Sequence, residues 1–415
     1  MPLSPARPAA RTLPPNAEAF APADVLDQAR FGVARHNAVG LACTCSCDRR
    51  STNHGAAPDL IEIMTHAFTT LAEYGWTPFF QSQLSLDEVA SALPVRVLAV
   101  HRGQLEVAQP GFRGRIASPH ASDDDNRPTV GDWLLLDRTT WALVRLLART
   151  SQFRRRAPGT GRETQLIAAN VDTLFVVTSC NQDFNPARLE RFLAVAREAG
   201  VTPVVVLTKS DLAGKEADGF VAAAAALLPG VLVEAVDARD PASVQRLSPW
   251  CGPGQTVALV GSSGVGKSTL VNTLTGTDTQ DTGEIREDDA RGRHTTSGRS
   301  LHALPSGGWL MDTPGMRELA LAGAEAGIDE VFADIGDLAA GCRFTNCRHD
   351  NEPGCAVRDA IAAGTLDSAR LRRFRKLAAE EAHNARTLAE SRARTRAFGK
   401  KTREAMRSKQ SRQET

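Results

Sequence analysis

Gly261-Ser262-Ser263-Gly264-Val265-Gly266-Lys267-Ser268-Thr269 has the residue types and spacing to hold a chain of phosphates. Its glycines let successive backbone N–H groups converge on phosphate oxygens, at a helix start where the dipole favours negative charge. The Lys267 ammonium would reach the β- and γ-phosphates, and the Ser268 hydroxyl would ligate Mg²⁺. About 45 residues downstream, Asp312-Thr313-Pro314-Gly315 closes a short apolar run. Asp312 would hold the hydration shell of the Mg²⁺, and the Gly315 N–H would bond the γ-phosphate and sense its loss. Between these segments, Gly292-Arg293-His294-Thr295-Thr296 occupies the place of a first switch. One threonine hydroxyl there, Thr296 in preference to Thr295, is expected to complete the Mg²⁺ shell.

The base is expected to be read by Thr208-Lys209-Ser210-Asp211, which follows the apolar run Val204–Leu207. The Asp211 carboxylate can accept both N–H donors of a guanine edge. Adenine offers no matching pair, so an ATP-dependent phosphotransferase is disfavoured. The Lys209 stem would lie along the ring. Thr208 stands where such tetrads usually have Asn, and it supplies a hydroxyl without the amide. Val236-Asp237-Ala238 is a candidate second guanine-side loop. The tetrad precedes the phosphate loop by about fifty residues, the reverse of the ordinary order. Such a reversal marks a circularly permuted GTPase. Where Ras-like enzymes place a Gln after the Asp-x-x-Gly motif to orient water, this chain has Met316. A thioether cannot orient water, so unaided hydrolysis is expected to be slow. Lys267 is expected to act on the transferred phosphate, and His294 is the nearest substitute for the missing Gln.

Cys342, Cys347, His349 and Cys355 supply three sulfurs and one imidazole within a short segment. That is the ligand set of one closed, structural, tetrahedral Zn²⁺ site. No coordination position remains open for chemistry, and a metal chaperone would need more labile ligands. Asn351-Glu352-Pro353-Gly354 is a turn that would return Cys355 towards the metal. Cys43, Cys45 and Cys47 alternate without an evident fourth ligand. No secretory signal is evident, so a cytoplasmic location is expected, where clustered cysteines favour metal over disulfides.

The chain has 415 residues, 42% hydrophobic and 23% charged, with a net charge of +1. No apolar run approaches the roughly 18 residues of a membrane span, so no membrane partner is expected. The near-neutral total hides an asymmetry: residues 367–415 hold 15 Lys or Arg against 6 Asp or Glu. A basic tail suits a polyanionic partner. Residues 1–63 read as a disordered extension, with Met64 or a neighbour as the true start. Residues 64–151 carry five short β-like runs after a lead-in, suggesting a small β-barrel of the oligonucleotide-binding type. Arg102, Arg113 and Arg115 could meet phosphates there, and Trp133 is expected in the barrel core rather than as a stacking platform. Arg154-Arg155-Arg156 reads as a basic linker. Residues 152–324 alternate strand and helix, the pattern of a parallel sheet covered on both faces. A mainly helical zinc-binding domain over 325–385 and a basic tail over 386–415 follow. No heptad or apolar stripe stands out, which favours a monomer.

With these motifs in view, the chain resembles the bacterial ribosome small-subunit-dependent GTPase A family. The resemblance covers residues 70 to about 400. It rests on the permuted order and on several segments: Gly75-Trp76-Thr77-Pro78-Phe79-Phe80, Ile167-Ala168-Ala169-Asn170-Val171-Asp172, Gly292–Thr296, and Cys342-Arg343-Phe344-Thr345-Asn346-Cys347 through Cys355-Ala356-Val357. It implies an OB-fold barrel, a permuted P-loop GTPase and a C-terminal zinc domain. It also implies a late role in maturing the 30S subunit, contact with 16S rRNA, and GTP hydrolysis that the subunit stimulates and that triggers release. The family's hydrophobic replacement of the Gln is matched by Met316, its switch histidine by His294, and its zinc ligands by Cys342, Cys347, His349 and Cys355. Thr208 departs from Asn and Asp237 from Ser, and both departures bear on nucleotide affinity rather than identity. A non-enzymatic RNA-binding module is the chief rival, and intact Lys267, Ser268 and Asp312 speak against it.

Overall fold

The computed structural model describes residues 68–119, 127–156, 164–276, 299–312 and 323–385. The expectations for 1–63, the first switch and the basic tail beyond 385 lie outside the described residues, as do Thr313–Met316. Thirteen strands are described: β1 (Ala92–His101), β2 (Gln104–Gln109), β3 (Phe112–Ala117), β4 (Trp133–Asp137), β5 (Leu143–Leu146), β6 (Gln152–Arg156), β7 (Thr164–Ala169), β8 (Thr173–Ser179), β9 (Thr202–Thr208), β10 (Leu232–Ala235), β11 (Thr256–Gly261), β12 (Arg299–Ala303) and β13 (Trp309–Asp312).

The five runs expected of a barrel are β1–β5. β1, β2 and β3 form an antiparallel meander, β4 returns to pair with the first half of β1, and β5 pairs with β4. Alternation along these strands turns Val95, Val97, Leu105, Val107, Leu134 and Leu136 into one buried cluster, as a period of two requires. Trp133 is 1% exposed and packs edge-on against Trp76 at 4.8 Å, so it is core and not a platform. Arg113 is held by Glu106.

β10-β9-β8-β11-β13 run parallel in that order. The near-continuous apolar runs of β8, β9 and β11 are those of strands buried on both faces. Leu174, Val176, Val205 and Leu207 join the core beneath the helix Pro186–Glu198. Phe175, Val177, Val204 and Val206 join the opposite core beneath Lys267–Thr275. The expectation of a wholly parallel sheet is corrected at one edge. β12 lies antiparallel to β13 and also pairs with β1, so the sheet runs on into β1–β5. The basic linker is corrected as well: Arg154-Arg155-Arg156 lie in β6, which pairs with β7. A backbone run of three arginines remains compatible with a strand when its main-chain groups find a partner.

A buried arginine joins the barrel strands to the parallel sheet. Arg96, on β1, is 1% exposed and donates to Tyr74 O at 2.5 Å, Asn170 O at 3.3 Å and Thr256 Oγ1 at 2.7 Å. Burial pulls its pKa down to about 10, against the favourable fields of Asp172 and Asp132, and it stays charged at neutral pH. This explains Gly75 in the lead-in. With φ of 87°, its added Cβ would sit 2.8 Å from both Arg96 Nη1 and Gly254 O. Trp309 on β13 also anchors the lead-in, through Nε1 to Glu73 O at 2.8 Å.

The C-terminal region is helical: Glu325–Val331, Ala333–Ala340, Ala356–Ala362 and a long helix over 368–385. It seats on the helix Pro186–Glu198 through Arg370 and Arg373, which converge on the fully buried Glu190, and through Arg191 bonding Glu380.

Candidate functional site

β11 ends at Gly261, where φ is 150° and an added Cβ would meet Val177 O at 2.2 Å. Only glycine lets this strand end lie so close to β8. Ser262–Gly266 then turn into the helix Lys267–Thr275, whose first turn presents Lys267, Ser268 and Thr269. Gly266 caps that helix at φ 88°, with the Thr208 hydroxyl 3.3 Å from where a Cβ would stand. Asp312 ends β13, the parallel neighbour of β11. His294, Thr295, Thr296, Gly315 and Met316 lie outside the described residues.

Despite their reversed order in the chain, the loop Gly261–Ser268 and the segment expected to read guanine meet. Thr208, at the end of β9, is fully buried, and its Oγ1 donates to Val265 O at 2.5 Å, with Thr178 O at 3.1 Å. The hydroxyl of Thr208 thus ties the loop Ser262–Gly266 to β9. Thr208→Val, of similar shape, leaves the Val265 carbonyl without its donor. GDP affinity is expected to fall about tenfold, equivalent to about 1.4 kcal/mol, while Thr208→Ser retains it. Titration calorimetry on the two variants checks this, and unchanged affinity in Thr208→Val would remove the role assigned here.

Lys209 adopts φ 58°, ψ 30°, a left-handed conformation uncommon for a lysine, and opens the short helix Ser210–Ala213 that carries Asp211. Ser210 N bonds Val236 O at 3.4 Å, and Thr273 Oγ1, on the phosphate-loop helix, donates to Ala238 O at 2.7 Å. Val236-Asp237-Ala238 is thus held between the tetrad and the phosphate-loop helix. The N–H of Arg239 holds the Asp237 carboxyl below the usual range, against the opposing effect of burial.

Two arginines that the sequence reading did not single out stand at this site. Asn185 caps the helix Pro186–Glu198, and Arg188 in its first turn donates to Ser262 Oγ. Lys267 Nζ donates to the carbonyl of the same serine. At the other end, Arg239 Nη2 bonds Asp211 Oδ2 at 2.8 Å. Both arginines lie just past the C-terminal ends of parallel strands, β8 and β10. That edge is where open α/β sheets bind ligands, and position relative to the strand ends was the available signal.

In the C-terminal region, the ligand atoms of Cys342, Cys347, His349 and Cys355 all lie within 4.8 Å of one another. His349 Nδ1 is 3.6 Å from Cys342 Sγ and 3.4 Å from Cys355 Sγ, and those two sulfurs are 3.9 Å apart. A tetrahedral ion at ordinary Zn–S and Zn–N lengths requires edges of about 3.8 and 3.6 Å. The four residues could therefore hold one metal ion. His349 reaches it from a left-handed backbone, φ 63°. Burial works against ionisation of Cys342, yet the N–H groups of Val357 and Ala356 hold its thiol below the usual range. Cys347 is pushed up to about 11, by burial first.

Residues 146–322 match the family model described as RsgA GTPase. A Vibrio vulnificus protein named small ribosomal subunit biogenesis GTPase RsgA 2 is 50% identical over 341 residues, spanning 82% of this chain and 96% of that relative. The chain belongs to the RsgA GTPase family. A Mesorhizobium japonicum member, small ribosomal subunit biogenesis GTPase RsgA, is 51% identical over 329 residues, 78% of this chain and 94% of its own. Two solved structures share the fold: YjeQ from Thermotoga maritima, TM-score 0.51 at 21% identity over 69% of this chain and 97% of that one, and YloQ, titled a circularly permuted GTPase, TM-score 0.51 at 22% over 70% and 96%. As a member of the RsgA family the chain is a GTP hydrolase with a circularly permuted fold.

Proposed function

We propose that the chain is a slow GTPase that the small ribosomal subunit stimulates, acting late in 30S maturation, with hydrolysis triggering its release. The observation that carries this reading is the Thr208–Val265 bond. It brings a guanine-reading segment against a phosphate loop across a permuted chain. The names of the RsgA relatives support the ribosomal partner. In this reading Thr208, Lys209, Ser210 and Asp211 serve the base. Gly261 through Thr269 and Gly315 serve the phosphates, and Ser268, Thr296 and Asp312 hold Mg²⁺. Met316 in place of a Gln accounts for slow unaided turnover, and His294 would assist once the subunit orders the switch. β1–β5 serve as an oligonucleotide-binding barrel for 16S rRNA, together with the basic tail. Among the described residues no helix is long and apolar enough to cross a membrane.

Nucleotide competition and co-sedimentation test this together. GDP and GTP, but not ADP, should displace a fluorescent GDP analogue, and the protein should sediment with 30S particles when loaded with a non-hydrolysable GTP analogue. ADP competing equally, or no nucleotide-dependent sedimentation, would count against it.

The metal in the Cys342, Cys347, His349, Cys355 cluster is read as zinc, because three thiolates and one imidazole in tetrahedral edges suit that ion. It would fix the loop onto the helix Ala356–Ala362 and take no part in chemistry. Elemental analysis is expected to return one zinc per chain. Cys355→Ser should lose it and lower the thermal midpoint by several degrees. Full-length protein with no zinc and an unchanged midpoint would contradict the assignment.

A further inference from the structure

The guanine-reading carboxylate already has a cationic partner from within the chain. Arg239 follows the loop Val236-Asp237-Ala238 by one residue, and its Nη2 lies 2.8 Å from Asp211 Oδ2. It is held in place from behind. Its own N–H donates to Asp237 Oδ1 at 3.0 Å, and its Nε lies 3.4 Å from the same oxygen. Asp237 is thus the hinge post of the side chain, and Asp211 is where its far end rests. Neighbouring carboxylates, Asp237 first and then Asp211, strengthen the charge on this guanidinium.

Reading guanine requires both oxygens of one carboxylate, one for N1–H and one for the exocyclic amine. Arg239 Nη2 occupies Asp211 Oδ2, one of the two oxygens that guanine needs, so Arg239 and the base compete for that oxygen. We propose that Arg239 is a latch on the base pocket, which guanine must displace from Asp211 and which stays tethered to Asp237 while the base is bound. This rests on the reading of Asp211 as the guanine acceptor. The latch would keep the carboxylate charged and compensated, and would penalise bases that cannot replace it. Adenine, which offers no pair of donors to Asp211, cannot displace it without leaving an uncompensated carboxylate.

The size of the effect is bounded by exposure. The Arg239 side chain is 69% exposed and that of Asp211 28%, so the pair is a solvated one and its loss should tighten GDP by only about two- to fivefold. The gain should fall mainly on the association rate, because an opening step is removed.

A double-mutant cycle tests it. Asp211→Asn turns the acceptor pair into one acceptor and one donor, which fits xanthine, whose C2 carries an oxygen in place of the amine. GDP binding is followed by stopped-flow fluorescence in wild type and Arg239→Ala, and xanthosine diphosphate binding in Asp211→Asn with and without Arg239→Ala. The expected result is two- to fivefold faster and tighter GDP binding in Arg239→Ala, and no effect of the same change in the Asp211→Asn background. Equal or weaker GDP binding by Arg239→Ala, with the xanthine preference of Asp211→Asn intact, would overturn the latch and leave the guanine site standing. An equal gain in both backgrounds would also overturn it, because Arg239 would then act without Asp211. Failure of Asp211→Asn to change base preference would overturn both readings.

Discussion

Lys267→Ala is expected to lower GTP turnover by about two to three orders of magnitude, with and without ribosomal subunits, while the fold remains intact. The ammonium is the one side-chain charge in the loop Gly261–Ser268 that can follow the negative charge onto the transferred phosphoryl oxygens. Losing a preorganised group of that kind typically costs about 10²–10³ in rate. Lys267 is half-buried and bonds the carbonyl of Ser262, within its own loop, so its removal leaves the hydrophobic core untouched. Circular dichroism and thermal melting should therefore match wild type while phosphate release collapses. A turnover loss below about fivefold would mean that catalysis runs through a different cation.

The second large effect is expected on stability, at Arg370. This buried side chain makes paired bonds to Asp334 at 2.7 and 2.9 Å and bonds Glu190 at 3.1 Å, Val331 O at 2.8 Å and Leu227 O at 3.2 Å. Its guanidinium also lies 4.9 Å from the ring centre of Phe332. Arg370→Ala strands the wholly buried Glu190 with Arg373 alone and frees two carbonyls. The expected loss is about 3–5 kcal/mol of unfolding free energy. Burial already pushes the Glu190 carboxyl above its usual range, against the pull of Arg373 and Arg370. The native state therefore holds that proton more tightly than the unfolded chain does. Stability from this group falls as pH rises through the window above the ordinary value of 4.5. With Arg370 gone the native value moves further up. The deficit of the variant should thus be smaller at pH 5 than at pH 8, read from urea midpoints at each pH. A deficit independent of pH would show that packing on Phe332, not charge, is what Arg370 contributes.

Glu190 and Arg188 lie on the same helix. One end of Pro186–Glu198 touches the phosphate loop through Arg188, and its face carries the C-terminal helices through Glu190 and Arg191. That helix thus contacts both the loop Gly261–Ser268 and the C-terminal helices.

Much of this was legible in the sequence because the features are local. A glycine-rich turn between an apolar run and a helix declares itself, and so does a Cys/His set at ligand spacing. The apolar run Val204–Leu207 falls within β9, since buried parallel strands read as unbroken Val/Leu runs. What could not be read was pairing between distant segments. Three arginines in a row look like a linker until β7 supplies their backbone partners. β12 could not be assigned from composition, since Arg299–Ala303 lacks an apolar run and owes its place to β13 and β1. Arg96, Arg188 and Arg239 are ordinary arginines in the sequence. Their roles come from the groups they face, which belong to segments far along the chain. Thr208 shows the same limit in reverse: the departure from Asn was visible, but its bond to Val265 was not.

The most direct measurement is GTP hydrolysis by the full chain with and without purified 30S subunits, at low and high salt. A slow intrinsic rate, raised at least tenfold by 30S at low salt and losing that stimulation at high salt as phosphate contacts are screened, is the expected result. Equal slow rates in every condition would contradict a GTPase gated by the small ribosomal subunit.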